Sequence, residues 1–177
     1  MLKKRRGFTL VELLVVVAII GILASLLVIN ALSAIHKSKQ KASMKDMMSI
    51  STAVVDYVSD NGAAPTQSGT YSNETPFYSA LCPFYIKVLP HIDYWGSGYR
   101  AWCGLSANQY GVLNPGMDDF LIASLGRDKI QEGFSFNPDL PGAGLFLVDA
   151  MSDFDKDLVM WNGSWIRVPR IATSPGS

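Results

Sequence analysis

The hydrophobic pattern changes character twice along this chain. Residues 13–35 carry no charged side chain, a run of twenty-three. A helix of that length reaches roughly 35 Å, enough for a hydrocarbon core of about 30 Å. Past it the pattern becomes amphipathic. Met44, Met47, Ile50, Val54 and Tyr57/Val58 recur at steps of three and four, with Lys41, Lys45, Ser49 and Asp56 on the opposite face. That stripe predicts packing against a globular head, not a cofactor site. Asp60-Asn61-Gly62 followed by Pro65 is a stop. One helix is therefore predicted over 8–60, roughly 80 Å long at ~1.5 Å per residue.

The remainder, 61–177, is long enough for a modest core. Residues 62–76 are rich in Gly, Pro, Ser and Thr and read as a loop; 77–89 predicts a short helix interrupted at Pro83. The clearest local pattern is Leu158-Val159-Met160-Trp161, then Asn162-Gly163, then Ser164-Trp165-Ile166-Arg167-Val168. Asn-Gly between β-rich segments predicts a hairpin. Residues 144–148 and 120–125 supply a third and a fourth strand. The predicted fold class is α+β: a long N-terminal helix, membrane-spanning in its first half, with its second half packed on a small antiparallel β-sheet head. No internal repeat is visible.

Composition sharpens this picture. Of 177 residues 49% are apolar and 17% charged, a balance that excludes intrinsic disorder. Net charge is zero and pI about 6.7, which gives no reason to expect nucleic acid as a partner. The distribution matters more than the total. Four of the fifteen basic residues are Lys3, Lys4, Arg5 and Arg6, whereas from Asp56 onward seven basic face thirteen acidic residues. A basic tip, an apolar stretch and an acidic body describe a membrane-anchored chain. The positive-inside rule keeps the tip cytoplasmic and exports everything after Ile35, although Lys37, Lys39, Lys41 and Lys45 compete.

An ordinary secretory signal would end in a small-residue cleavage site, and none is evident. Instead Gly7 follows the basic tip and Phe8-Thr9-Leu10-Val11-Glu12 opens the apolar run. A carboxylate near the start of a membrane span costs up to ~2.5–3.5 kcal/mol and is usually paired. Lys4-Arg5-Arg6-Gly7-Phe8-Thr9-Leu10-Val11-Glu12-Leu13 resembles the class III signal of the type IV pilin superfamily. The resemblance implies a leader over 1–7, cleavage after Gly7 by a prepilin peptidase, N-methylation of Phe8, and an apolar stem kept as filament core. It also implies that Glu12 pairs with the Phe8 amine of a neighbouring subunit and so sets axial register. Where many relatives carry a proline in the stem, this chain has Ile29, which keeps the helical hydrogen bond a proline would remove.

The resemblance extends into the head. Val55-Asp56-Tyr57, Asp60-Asn61-Gly62 and Pro65-Thr66 are similar to the helix end of major pseudopilins of type II secretion systems. Asp93-Tyr94-Trp95-Gly96 with Tyr99 resembles their Asp-Pro-Trp-Gly segment, and Ser124-Leu125-Gly126-Arg127-Asp128 their Ser-Leu-Gly-x-Asp-Gly, with Lys129 in place of the last glycine. Asp155-Lys156-Asp157-Leu158 is similar to their Asp-x-Asp-Ile, while residues 133–151 are longer than that family leads one to expect. Those proteins hold calcium in this region. By resemblance the ligands here are the Leu125 carbonyl, Asp128, Asp155 and Asp157, with Asp153 as a further candidate. Such a cation wants about six to eight oxygens. On spacing alone, alternating aspartates equally describe a solvated strand edge.

Cys82 and Cys103 are the only cysteines, both on the exported side. An oxidising periplasm would favour a bond closing a loop of about twenty residues, contributing ~3 kcal/mol in the chain-entropy model; two buried thiols are the other reading. No catalytic constellation is present: His36 and His91 lack motifs and the serines lack a nucleophile-elbow context.

The expectation is therefore a structural subunit, not an enzyme. It would polymerise with copies of itself from the inner membrane, alongside minor pseudopilins and an inner-membrane assembly platform, into a type II secretion pseudopilus with its heads in the periplasm. The rivals are the major pilin of a surface pilus and a monomeric calcium-binding membrane protein.

Overall fold

The computed structural model describes residues 7–170, except the side chains of residues 26–30. The basic tip and the rest of the predicted leader ahead of Gly7 lie outside the described residues. The chain divides into two compact units, Met1–Lys37 and Ser38–Ser177. The boundary falls inside one helix, α1, Leu10–Asn61, which ends one residue beyond the predicted stop.

In the first unit the large aliphatic side chains are exposed on every face of the helix: Leu13, Leu14, Val15, Val16 and Val17 in succession are 44–62% accessible. Among the described residues no helix is long and apolar enough to cross a membrane. The described side chains of the uncharged run stop at residue 25 and resume at 31, so the predicted crossing rests on the sequence of 13–35 as a whole.

In the second unit the predicted stripe is the buried one. Met47, Ile50 and Val54 are inaccessible, Met44, Tyr57 and Val58 pack beside them, and Lys41, Lys45, Ser49 and Asp56 are exposed. The small residues Ser43, Ser51 and Ala53 are also buried, and Ser43 accepts the Tyr94 amide at 3.3 Å. The sheet has six strands in the order β1-β2-β3-β5-β6-β4. They are β1 Ser68–Thr70, β2 Arg100–Cys103, β3 Phe120–Ser124, β4 Leu145–Phe146, β5 Leu158–Trp161 and β6 Ser164–Pro169, with a short helix α2, Pro76–Leu81, after β1.

Alternate strand residues serve two cores. Ala101, Phe120, Ile122, Leu158 and Met160 join the helix stripe, whereas Trp102, Leu121, Ala123 and Val159 face a second cluster covered by Tyr110, Val112, Phe134 and Phe136. Burial on both faces explains why β3 reads as a continuous apolar run. The hairpin forms as predicted: Asn162 and Gly163 both take positive φ (46° and 81°), the geometry in which a two-residue turn matches strand twist.

Three expectations need correction. The segment 62–76 is not all loop, since β1 pairs Ser68–Thr70 with β2. Arg100–Cys103 is a strand with no counterpart among the predicted elements. The strand expected over 144–148 has two residues and runs parallel to β6, as the one parallel pair among the described strands. A Cβ on Gly144 would overlap the Ile166 carbonyl, so the close approach that starts β4 requires glycine.

Candidate functional site

Gly7 and Phe8 precede the helix, both exposed, with Phe8 72% accessible. Thr9 then caps the helix. Its amide and its hydroxyl donate to Glu12 Oε2 at 2.9 and 2.8 Å, and the Glu12 amide donates back to Thr9 Oγ1 at 3.2 Å. This reciprocal arrangement is a capping box. Glu12 is thus the N3 residue of the cap as well as the lone acid of the stem. The Thr-x-x-Glu spacing carries this signal in the sequence itself, beside the intermolecular role that the family resemblance implies for Glu12.

In the head, the two resembling motifs meet. Asp93 is buried in a turn where its Oδ1 accepts the amides of Trp95 (3.0 Å) and Ser97 (2.8 Å). Its Oδ2 accepts the Ser124 hydroxyl at 2.7 Å. Lys129 reaches the same turn, donating to the Gly96 carbonyl at 3.3 Å.

The turn after β3 also lies against the acidic segment 153–157. The Arg127 amide donates to the Phe154 carbonyl at 2.8 Å. Gly126, at φ 69°, has no room for a Cβ: the Asp155 and Lys156 carbonyl oxygens would stand 2.8 and 2.9 Å from it. The predicted calcium-ligand segments are therefore neighbours, but their carboxylates are engaged elsewhere. Arg127 grips Asp155 with both forks, Nε to Oδ1 at 2.7 Å and Nη2 to Oδ2 at 2.9 Å. Lys156 takes Asp153 Oδ1 at 2.7 Å, while Asp153 Oδ2 accepts the amides of Asp149 and Ala150. Asp128 Oδ1 accepts the Ile130 amide at 3.0 Å.

Asp157 is inaccessible. Its Oδ2 accepts the Tyr110 hydroxyl at 2.6 Å and the Glu132 amide at 2.9 Å, and its Oδ1 is buried without a partner. Burial pushes its carboxyl up to about 6, opposed by the bonds from Tyr110 and Glu132 and aided by the charges of Glu132 and Asp128. Glu132 in turn is held by Arg167 through Nε at 3.0 Å and Nη2 at 2.5 Å. The Arg167 guanidinium lies 4.7 Å from the Phe134 ring centre and 5.1 Å from that of Phe146.

Among the described residues no three acidic, histidine or cysteine groups converge where a metal ion could sit. One orphaned aspartate oxygen does not make a cage of six to eight, so the residues as arranged do not fit calcium.

The expected Cys82–Cys103 bond is absent as well: both are free thiols. Cys103 lies in the apolar core between the helix and the sheet, where burial pushes its thiol up to about 12, and the half-buried Cys82 packs against that core.

Residues 2–28 match the prokaryotic N-terminal methylation motif, which makes this a pilin-like chain. Over a longer span it is similar to the type II secretion system core protein G of Pectobacterium carotovorum subsp. carotovorum, with 36% identity covering 71% of this chain and 78% of the relative. The protein of that name from Klebsiella pneumoniae is 33% identical over 74% of this chain and 91% of its own length. That from Dickeya chrysanthemi is 29% identical over 90% and 88%. No solved structure gives a significant match. The chain belongs to the type II secretion system core protein G family, the major pseudopilins.

Proposed function

We propose that this chain is the repeating structural subunit of a type II secretion pseudopilus, processed at Gly7–Phe8 and assembled from the inner membrane with its head in the periplasm. One observation carries the reading: among the described residues, aliphatic side chains are exposed on every face of the first unit's helix from Leu10 to Leu23, broken by the single carboxylate of Glu12. A surface of that size and chemistry does not persist in water, and lipid or other stems must cover it.

Glu12 gives the stem its register. Cleavage creates an amine at Phe8, and the carboxylate held in place by Thr9 accepts that cation from an adjacent copy when the stems bundle. Lipid is already apolar, so bundling gains little from the hydrophobic effect, and a charge pair at one fixed height decides axial position. Removing one side of such a buried pair costs ~3–5 kcal/mol. The prepilin peptidase, the minor pseudopilins and the assembly platform are the partners this reading requires. It asks for no catalysis by the chain itself.

The test is Glu12→Ala in a strain that secretes through this system. Normal leader cleavage with loss of filament and of secretion is the expected result. Unchanged assembly would refute the reading, and long extracellular fibres without a secretion defect would favour a surface pilus.

A further inference from the structure

The segment that calcium is expected to close is already closed by side chains of this chain. Arg127 joins the turn after β3 to the segment before β5 through two parallel hydrogen bonds to Asp155, across twenty-eight residues of sequence. Lys156 neutralises Asp153 one turn away. Arg167 of β6 fixes Glu132 and stacks between Phe134 and Phe146, while Lys156 stands 4.9 Å from that same Phe146 ring. Both aromatic rings come from the long segment 133–151.

We propose that the C-terminal half of this head is closed by its own cations, Arg127 on Asp155 foremost, in the place where the family resemblance put calcium, so that the subunit folds without a divalent ion. The chemistry is that of a substitution. A bound cation would tie the turn at 125–128 to the acids at 153–157 by neutralising carboxylates on both. Here a guanidinium carried by the turn itself reaches across to Asp155, and its fork matches the two oxygens of a carboxylate. An incoming calcium ion would have to displace Arg127 from Asp155 and Lys156 from Asp153. It would then sit beside the two displaced positive charges. Glycine at 126 allows the close approach on which the contact depends, and the enlarged 133–151 segment brings the aromatic rings that hold the third cation.

The closure lies within the head and does not depend on filament assembly. The experiment uses the full chain in detergent micelles, stripped with a chelator. Calcium chloride is titrated calorimetrically, and thermal unfolding is followed with calcium or with chelator present. The expected results are no saturable calcium binding and the same Tm in both conditions. Arg127→Ala and Asp155→Ala should each lower the Tm, the double variant no further than either single one, because both remove one contact. A saturable site or a calcium-dependent rise in Tm of the unaltered chain would overturn the proposal. So would additive effects of the two substitutions. If a variant fails to fold, the measurements on the unaltered chain still decide.

Discussion

Ser124, at the end of β3, donates its hydroxyl proton to Asp93 Oδ2 across 2.7 Å, with both side chains buried. That bond ties the sheet to a turn thirty-one residues earlier, whose amides already fill the other carboxylate oxygen. The pair fixes where the turn carrying Arg127 leaves the sheet.

Ser124→Ala should therefore destabilise the head by ~1–3 kcal/mol, since it leaves a buried carboxylate oxygen without its donor. Thermal unfolding of the full chain measures this. A Tm equal to that of the unaltered chain would show the bond to be dispensable.

Lys129 occupies the left-handed region at φ 63°, at the position where the resembling motif has glycine. A non-glycine residue there is strained by on the order of 1 kcal/mol. Its compensation is one exposed hydrogen bond to the Gly96 carbonyl. Lys129→Gly is expected to raise stability slightly, by roughly 0.5 kcal/mol, because relief of the strain outweighs the lost contact. Denaturant unfolding at constant m-value reads the change.

Two aspartates give the head opposite pH responses. Burial holds the Asp157 carboxyl at about 6, above its ordinary 3.8, so the folded state binds this proton more tightly than the unfolded one. The stability it contributes is fully present below about pH 4 and is lost as pH rises through 6, a change of roughly 2–3 kcal/mol. Asp153 is shifted the other way, to about 2, by the Lys156 ammonium first and then the Ala150 amide. Its contribution is present above about pH 4 and is lost as pH falls through 2. Thermal unfolding between pH 2 and 8 should show greatest stability near pH 4. Asp157→Asn should flatten the limb from 4 to 6 while leaving the acid limb in place.

Much of the fold was written in local patterns. The stripe from Met44 to Val58 needed only helical spacing, and Asn162-Gly163 needed only the turn geometry that its positive φ values confirm. What escaped was decided by pairing across distance. Ser68-Gly69-Thr70 has no apolar rhythm and becomes a strand because Arg100–Cys103 offers it an edge. Arg100–Cys103 in turn shows little polar alternation because both its faces are covered. The acidic spacing at 153–157 was equally visible. The cation that claims Asp155 is twenty-eight residues away, and only the folded chain brings it there. At the other end, Thr9 and Glu12 spell a capping box in plain sequence, obscured by the more conspicuous presence of an acid beside an apolar run.

The measurement that bears most directly on the account is mass spectrometry of the N-terminus of the mature protein recovered from the membrane fraction of cells carrying the secretion system. The account predicts a chain beginning at Phe8 with a methylated amine, seven residues shorter than the translated sequence. A chain that still begins at Met1, with the Gly7–Phe8 bond intact, would contradict it, because Glu12 would then have no terminal amine to meet.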